Sequence, residues 1–390
     1  MNRIKQMDRS LRRDYLTYAF VIVAYVLLQI LSGTRGFSPT LRGQLVPICA
    51  YVVMAMSLNL TVGVLGELSL GHAGFMSVGA FSGAIAAAAL QTAVPSPGLR
   101  LAVALVIGAI FAGIVGTVIS VPVLRLNGDY LAIVTLAFGQ IIKSLIENLY
   151  VGVDASGLHF SFLKPNITLA QGGRMILNGP MGIPNISKIS TFLAGFILIM
   201  LTLFIIFNLV RSRAGRAIMA LRDNRIAAES VGINVTKYKM MAFVTSAALA
   251  GAAGALFALG QNTIVAAKFD FNTSILILVF VVLGGLGNMF GSIIAAAALT
   301  ILPEALRGFA DYRMLIYAVV LILVMLGTNS PQLKGLLKSW SPGRKGRRYS
   351  HAEESRFRKR QSPGAHAYRG LYPSAGSGQD THPGMPASGH

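Results

Sequence analysis

The chain has 390 residues, 54% hydrophobic and 12% charged, with 34 Lys and Arg against 14 Asp and Glu. A soluble domain carries roughly a quarter charged residues, so this composition excludes an ordinary soluble protein. The formal charge of +20 does not point to nucleic acid, because most of the positive residues flank apolar runs, where charge sets membrane topology.

The apolar runs are near the ~20 residues that a helix needs to cross a ~30 Å hydrocarbon layer. The ~10-residue alternating strands of a transmembrane barrel are not visible. The expected fold is therefore all-α, a polytopic transmembrane helical bundle. Cys49 is the single cysteine and lies in an apolar span. It reads as a small core residue and leaves no disulfide or zinc framework within the chain.

In chain order, residues 1–14 form a basic arm with Arg3, Lys5, Arg9, Arg12 and Arg13, expected in the cytoplasm. The apolar run after it lacks an Ala-x-Ala cleavage site and reads as a retained first helix. Spans are expected at about 15–32, 44–62, 71–92, 99–122, 130–149 and 189–210. Six crossings return the chain to the cytoplasm at Arg211, where the basic stretch RSRAGRAIMALRDNRIAAESVGINVTKYK begins. That agreement supports the span list, since basic loops stay inside. Within the stretch, Asp223 and Asn224 are good N-cap residues, IAAES favours helix and Gly232 suits the position after a helix end. A short cytoplasmic helix follows from these signals.

A seventh span is expected at about 239–262. The apolar stretch 273–302 is too long for one ordinary helix and is broken by GGLGN at 284–288, which gives two short spans, about 273–286 and 290–304, with one long tilted helix, and nine spans in all, as the alternative. A last span over 314–326 makes ten and places the tail inside. That tail has eleven Lys and Arg against three Asp and Glu. Its Pro, Gly, Ser and Arg content predicts disorder. The connection 151–188, rich in Gly, Asn and Pro, falls outside and has room for short surface helices. The domain organisation is thus an arm at 1–14, a membrane domain at 15–330 containing the cytoplasmic loop 211–238, and a basic tail at 331–390.

Two stretches carry polar residues close to membrane depth. The first, GVLGELSLGHAGFMSVGAFSG, combines glycines at 63, 66, 71, 74, 79 and 83 with Glu67, Ser69 and His72. Such glycines let helix backbones approach or let a helix unwind. Glu67 is either an ionisable group within the membrane, which suggests function, or part of a solvated turn at the interface. Gly79 and Gly83 form a small-xxx-small pair suited to helix packing. In the second, RLNGDYLAIVTLAFGQIIKSLIEN, Gln140, Lys143 and Glu147 share one helix face, and the last two can pair at i, i+4. That face is either an outer ion pair or the lining of a polar passage.

Enzyme signatures are absent. The sequence has no G-x-x-x-x-G-K-[ST] phosphate loop, no H-E-x-x-H and no G-x-S-x-G. GGLGNMFG has the glycines of a nucleotide loop but neither its lysine nor a preceding strand.

Four stretches together carry a family resemblance: LNLTVGVLGELSLGHAGFMSVGAF, LRLNGDYLAIVTLAFGQII, RAGRAIMALRDNRIAAESVGINVTKYK and VFVVLGGLGNMFGSIIAAAAL. They resemble the M-type permease subunit of ATP-binding-cassette importers for branched-chain amino acids. The resemblance implies a transmembrane permease rather than an enzyme. It implies a second, H-type permease subunit, two cytosolic ATPases and an extracytoplasmic solute-binding protein, in a bacterial inner membrane. ATP would be bound on the partner ATPases, with no cofactor on this chain. The family's cytoplasmic coupling helix maps to about 223–232, which implies ATPase contacts through Arg216, Arg222, Asn224, Ala227, Ala228, Glu229 and Gly232. A translocation pathway is expected near Asn59, Glu67, Ser69, His72 and Gln140. Arg225 stands where many relatives have an acidic residue, and relatives tend to end soon after the last span. Rival expectations are a permease of the same class for urea or another small amide, an ion-coupled secondary carrier, and a structural membrane scaffold.

Overall fold

The computed structural model describes residues 2–33, 39–91, 93–124, 126, 128–154, 157–162 and 173–306, with isolated positions between 315 and 322. All of them fall in one compact unit, Met1–Asn329. The elements are α1 (Asn2–Gly33), α2 (Pro39–Asn59), α3 (His72–Ala89), α4 (Pro97–Val123) and α5 (Asp129–Glu147). Three strands follow, β1 (Leu149–Asp154), β2 (Gly157–Phe162) and β3 (Arg174–Asn178). The chain continues through α6 (Phe192–Arg211), α7 (Arg213–Asp223), α8 (Arg225–Ser230), α9 (Val235–Ala258), α10 (Phe271–Gly284) and α11 (Met289–Ala305).

Among the described residues, eight helices are long and apolar enough to cross a membrane, and α11 is a shorter apolar helix. The expected break at GGLGN is present, between α10 and α11. The expected tenth span and the tail fall on positions outside the described residues, a few isolated ones apart.

The connection after α5 holds more than the expected short surface helices: among the described residues it forms an antiparallel sheet in the order β2-β1-β3, followed by one short 3-10 helix, Gly179–Met181. Val151 is fully buried on the central strand. Val151 and Val153 alternate with glycine and a strand-ending Asp154, which is strand chemistry rather than helix chemistry. The fold is a helical bundle with a small sheet at one end.

The bundle's interior is built from small residues. A Cβ on Gly79 would fall 2.0 Å from the Gly251 carbonyl oxygen, and one on Gly254 would fall 2.0 Å from that of Met76. Backbones of α3 and α9 therefore touch, and α4 joins them through Gly108. In lipid this close contact, rather than hydrophobic burial, holds helices together. The Gly79 and Gly83 pair packs as its spacing predicts, Gly83 against Ala255 and Ala104. Cys49 is buried beside Gly195.

Contacts between chain turns sort into two ends. At one, Arg211 pairs with Asp14, Lys239 with Glu67, and Arg222 with the carbonyl of Gly63. At the other, Arg174 donates to Gln91 Oε1 at 2.7 Å and to the Ala88 carbonyl at 3.2 Å. There too Ile183 bridges Ile264, and Ile189 N–H meets the carbonyl of Leu259.

Candidate functional site

The basic end gathers the polar residues. Its loop is two helices, not one. Ser212 caps α7 by accepting from Gly215 N–H, and Asn224 caps α8 by accepting from Ala227 N–H at 3.0 Å. Asn224 thus takes the N-cap role, and Asp223 is the last residue of α7. Gly232, at φ +84°, ends α8. Its N–H bonds the Glu229 carbonyl and Ile233 N–H bonds that of Ala228, the paired closure of a Schellman stop.

The orientation of α8 revises the expected ATPase-contact set. Ala228 does not face outward. It is 4% exposed and sits in a small core with Leu221 and Val235. The outward face instead presents Ile226, 79% exposed, and Val231, 75% exposed, with Ala227, Glu229 and Ser230 also exposed. The helical spacing decides this: in so short a helix one face must rest on the loop, and the small residue is the one that fits. Two bulky apolar residues in a basic loop were the available signal for the outward face. Arg216 is exposed and bonds the Arg211 carbonyl at 3.1 Å. Arg222 points back to the bundle, donating from Nη1 to the Gly63 carbonyl at 2.7 Å.

That carbonyl belongs to a π-helical turn, Leu60–Leu65, which prolongs α2 and closes with Glu67 N–H on the Thr61 carbonyl. Gly66 follows at φ +83°, and a Cβ there would meet the Arg222 stem at 2.5 Å. Glu67 forms an ion pair with Lys239, their side chains 12% and 5% exposed. Glu67 thus lies in the turn between α2 and α3 at the basic end, part-buried and paired. Lys239 went unnoticed in the sequence because a lysine at the head of an apolar helix looks like a topology signal.

The other expected pathway residues are engaged inside the protein. Asn59 is fully buried. It accepts from Gly287 N–H and donates to Ser292 Oγ, both at 2.8 Å, tying α2 to the GGLGN turn and α11. His72 Nε2 and Ser57 Oγ lie 2.8 Å apart, and Ser246 Oγ donates to the Ser57 carbonyl at 2.5 Å. Ser69 is fully buried, and its hydroxyl, with those of Thr61 and Ser77, has no hydrogen-bond partner among the described residues. Between Glu67 and His72 the backbone is irregular, and Thr135 and Ser274 hydroxyls accept from Leu70 and Ala73 N–H. Irregular backbone at membrane depth is tolerated where protein supplies such partners. Gln140 is half-buried on α5, beside Gly139, which packs on Gly71. Lys143 and Glu147 pair at 3.8 Å, as their spacing predicts. No group of three metal-ligating side chains occurs among the described residues.

A family profile described as branched-chain amino acid transport system, permease component, matches residues 41–325. The high-affinity branched-chain amino acid transport system permease protein LivM of Salmonella typhimurium is 36% identical over 306 residues, 73% of this chain and 69% of that protein. The Escherichia coli LivM protein gives the same identity and coverage. A probable branched-chain amino acid transport permease, LivH, of Methanocaldococcus jannaschii is 26% identical over 337 residues, 80% of this chain and 100% of that protein. No solved structure matches.

Proposed function

Because the chain belongs to the family of permease components of branched-chain amino acid transport systems, we propose that it is one permease subunit of an ATP-binding-cassette importer. In this reading it lies in a bacterial inner membrane with the basic end in the cytoplasm. It forms half of the passage for leucine, isoleucine and valine beside an H-type permease subunit. Two cytosolic ATPases dock on the loop, and a solute-binding protein delivers the amino acid to the sheet-bearing end. ATP binds and is hydrolysed on the partner ATPases.

The observation that carries the reading is the construction of α8. Ile226 and Val231 project from the basic loop, 79% and 75% exposed. An exposed apolar pair held rigidly from beneath suits a protein partner. The caps at Asn224 and Gly232 and the seat at Ala228 fix its direction, so a push on the pair becomes movement of the loop. Alternating access follows: closure of the ATPases displaces α8, and the bundle opens to the opposite side.

The test is purification of the chain with its companion subunits after Ile226→Glu or Val231→Glu. Each variant should reach the membrane at the wild-type level, lose the ATPases and lose leucine uptake by about tenfold or more. Ser230→Ala should be mild, since among the described residues its hydroxyl serves the Ala227 carbonyl one helical turn back. Full uptake by both glutamate variants with ATPases bound rejects α8 as the docking element. Uptake driven by an ion gradient without ATPases rejects the importer class, and uptake of urea in preference to leucine rejects the solute.

A further inference from the structure

We propose that the π-turn Leu60–Leu65 receives the movement of the α7–α8 loop, and that Arg222, Glu67 and Lys239 are the positioning residues that fasten the loop to it. The inference rests on reading the loop as the ATPase-docking element, and concerns what happens next inside the chain.

α8 itself touches little of the membrane bundle. Its buried residue, Ala228, meets Leu221 and Val235, which belong to the loop and to the start of α9. Force applied to α8 must therefore leave through α7 and α9. Both are attached to the same short segment, from Gly63 in the turn to Glu67 just past it. From α7, Arg222 places its guanidinium on the Gly63 carbonyl and its stem on Gly66. From α9, Lys239 pairs with Glu67 just past the turn. These links flank the segment, and neither separates cheaply. Pulling Glu67 from Lys239 would leave two charges buried without partners, and Arg222 would give up a charge-assisted bond. Loop and π-turn should thus move as one piece.

The opposite side of the turn shows where the movement goes. A Cβ on Gly63 would lie 2.2 Å from Gly287 N, so the turn bears directly on the backbone between α10 and α11. One turn earlier, Asn59 grips that same Gly287 together with Ser292. Immediately above, Ser57 carries the bonds to His72 and Ser246. A displaced π-turn would therefore shift α2, the α10–α11 turn and the head of α3 together. A π-turn suits this role because its wider closure is less stable than α-helix and such turns cluster at working positions. Neither face leaves room for a side chain: Gly63 lies backbone to backbone on Gly287, and Gly66 lies against the Arg222 stem, so displacement passes across with little slack.

The experiment uses the complete importer in proteoliposomes, reading uptake per ATP hydrolysed, ATPase retention and melting temperature. The variants are Glu67→Gln, Lys239→Met, the charge exchange Glu67→Lys with Lys239→Glu, and the apolar pair Glu67→Leu with Lys239→Met. The apolar pair removes the link without leaving a buried charge, so it keeps the fold. Expected are retained ATPases and a fall of about tenfold in uptake per ATP for the single variants and the apolar pair. The charge exchange should restore most of it. An apolar pair that couples like the wild type overturns the inference, as do single variants that lose uptake, hydrolysis and melting temperature in the same proportion. A wild-type chain that retains no ATPase overturns the docking reading and this inference together. A wild type that couples beside an equally coupled apolar pair overturns this inference alone.

Discussion

Helices α6 and α9 are both long enough to cross a bilayer, yet they are opposite in construction. α6 is the more apolar, FLAGFILIMLTLFIIFNLVR, and exposes Leu193, Ile197, Leu201 and Phe204 along one side. α9 is built of alanine and glycine and buries nearly every residue from Leu249 to Ala258. In water the greasier helix would be the central one. In a membrane the lipid is as apolar as leucine, so large side chains gain nothing by turning inward. Small residues gain backbone contact, and they mark the centre of this bundle.

The comparison breaks first at the glycines. Gly254→Val puts a side chain onto the Met76 carbonyl and the Ala80 N–H, backbone that cannot yield. It should cost more than about 4 kcal/mol, seen as loss of folded protein in detergent. Normal accumulation would show that α9 is not packed on α3 in this way. Next comes Asn59→Leu, which leaves Gly287 N–H and Ser292 without their buried partner. A loss of about 1–3 kcal/mol is expected, and an unchanged melting temperature would remove Asn59 as the tie between α2 and the α10–α11 turn.

Gly232→Val should cost less, about 1–2 kcal/mol, because only the positive φ opposes it. Nothing lies within 4 Å of its missing Cβ. The strain should appear as faster proteolysis within 211–238 while the melting temperature of the bundle stays put; a large drop in that temperature would mean that Gly232 packs against something. At the small end, Phe204→Ala and Ile197→Ala change a lipid-facing surface and should stay within about 0.5 kcal/mol. A loss as large as that at Asn59 would mean that this side of α6 is covered by another subunit rather than lipid.

Legibility followed the same division. The N-terminal helix, the break at GGLGN and the basic loop were readable because each depends on composition or on local caps. Asn224 and Gly232 were assignable for the same reason: a cap acts over three or four residues. The direction of Ala228, the return of Arg222 to Gly63 and the pairing of Lys239 with Glu67 were not readable. Lys239 and Glu67 stand far apart in sequence, and each alone looks like an interfacial charge. The sheet after α5 was not readable because its strands are brief and its glycines suggest an irregular connection.

Composition, apolar runs, motifs and charge along the chain suffice to define a multi-pass helical membrane protein of the branched-chain permease family, and which end carries the positive charge. Those properties come from the free energy of placing apolar runs and arginines relative to a bilayer, which is summed locally along the chain. The tertiary structure decided which helices are central, which face α8 presents, and that Asn59 and Glu67 are ties within the bundle. These depend on residues that meet only after folding: Gly63 with Gly287, Gly79 with Gly251, Gly254 with Met76. Backbone-to-backbone contact leaves no signature in either partner alone, since a glycine reads the same whether it faces a neighbour or open space.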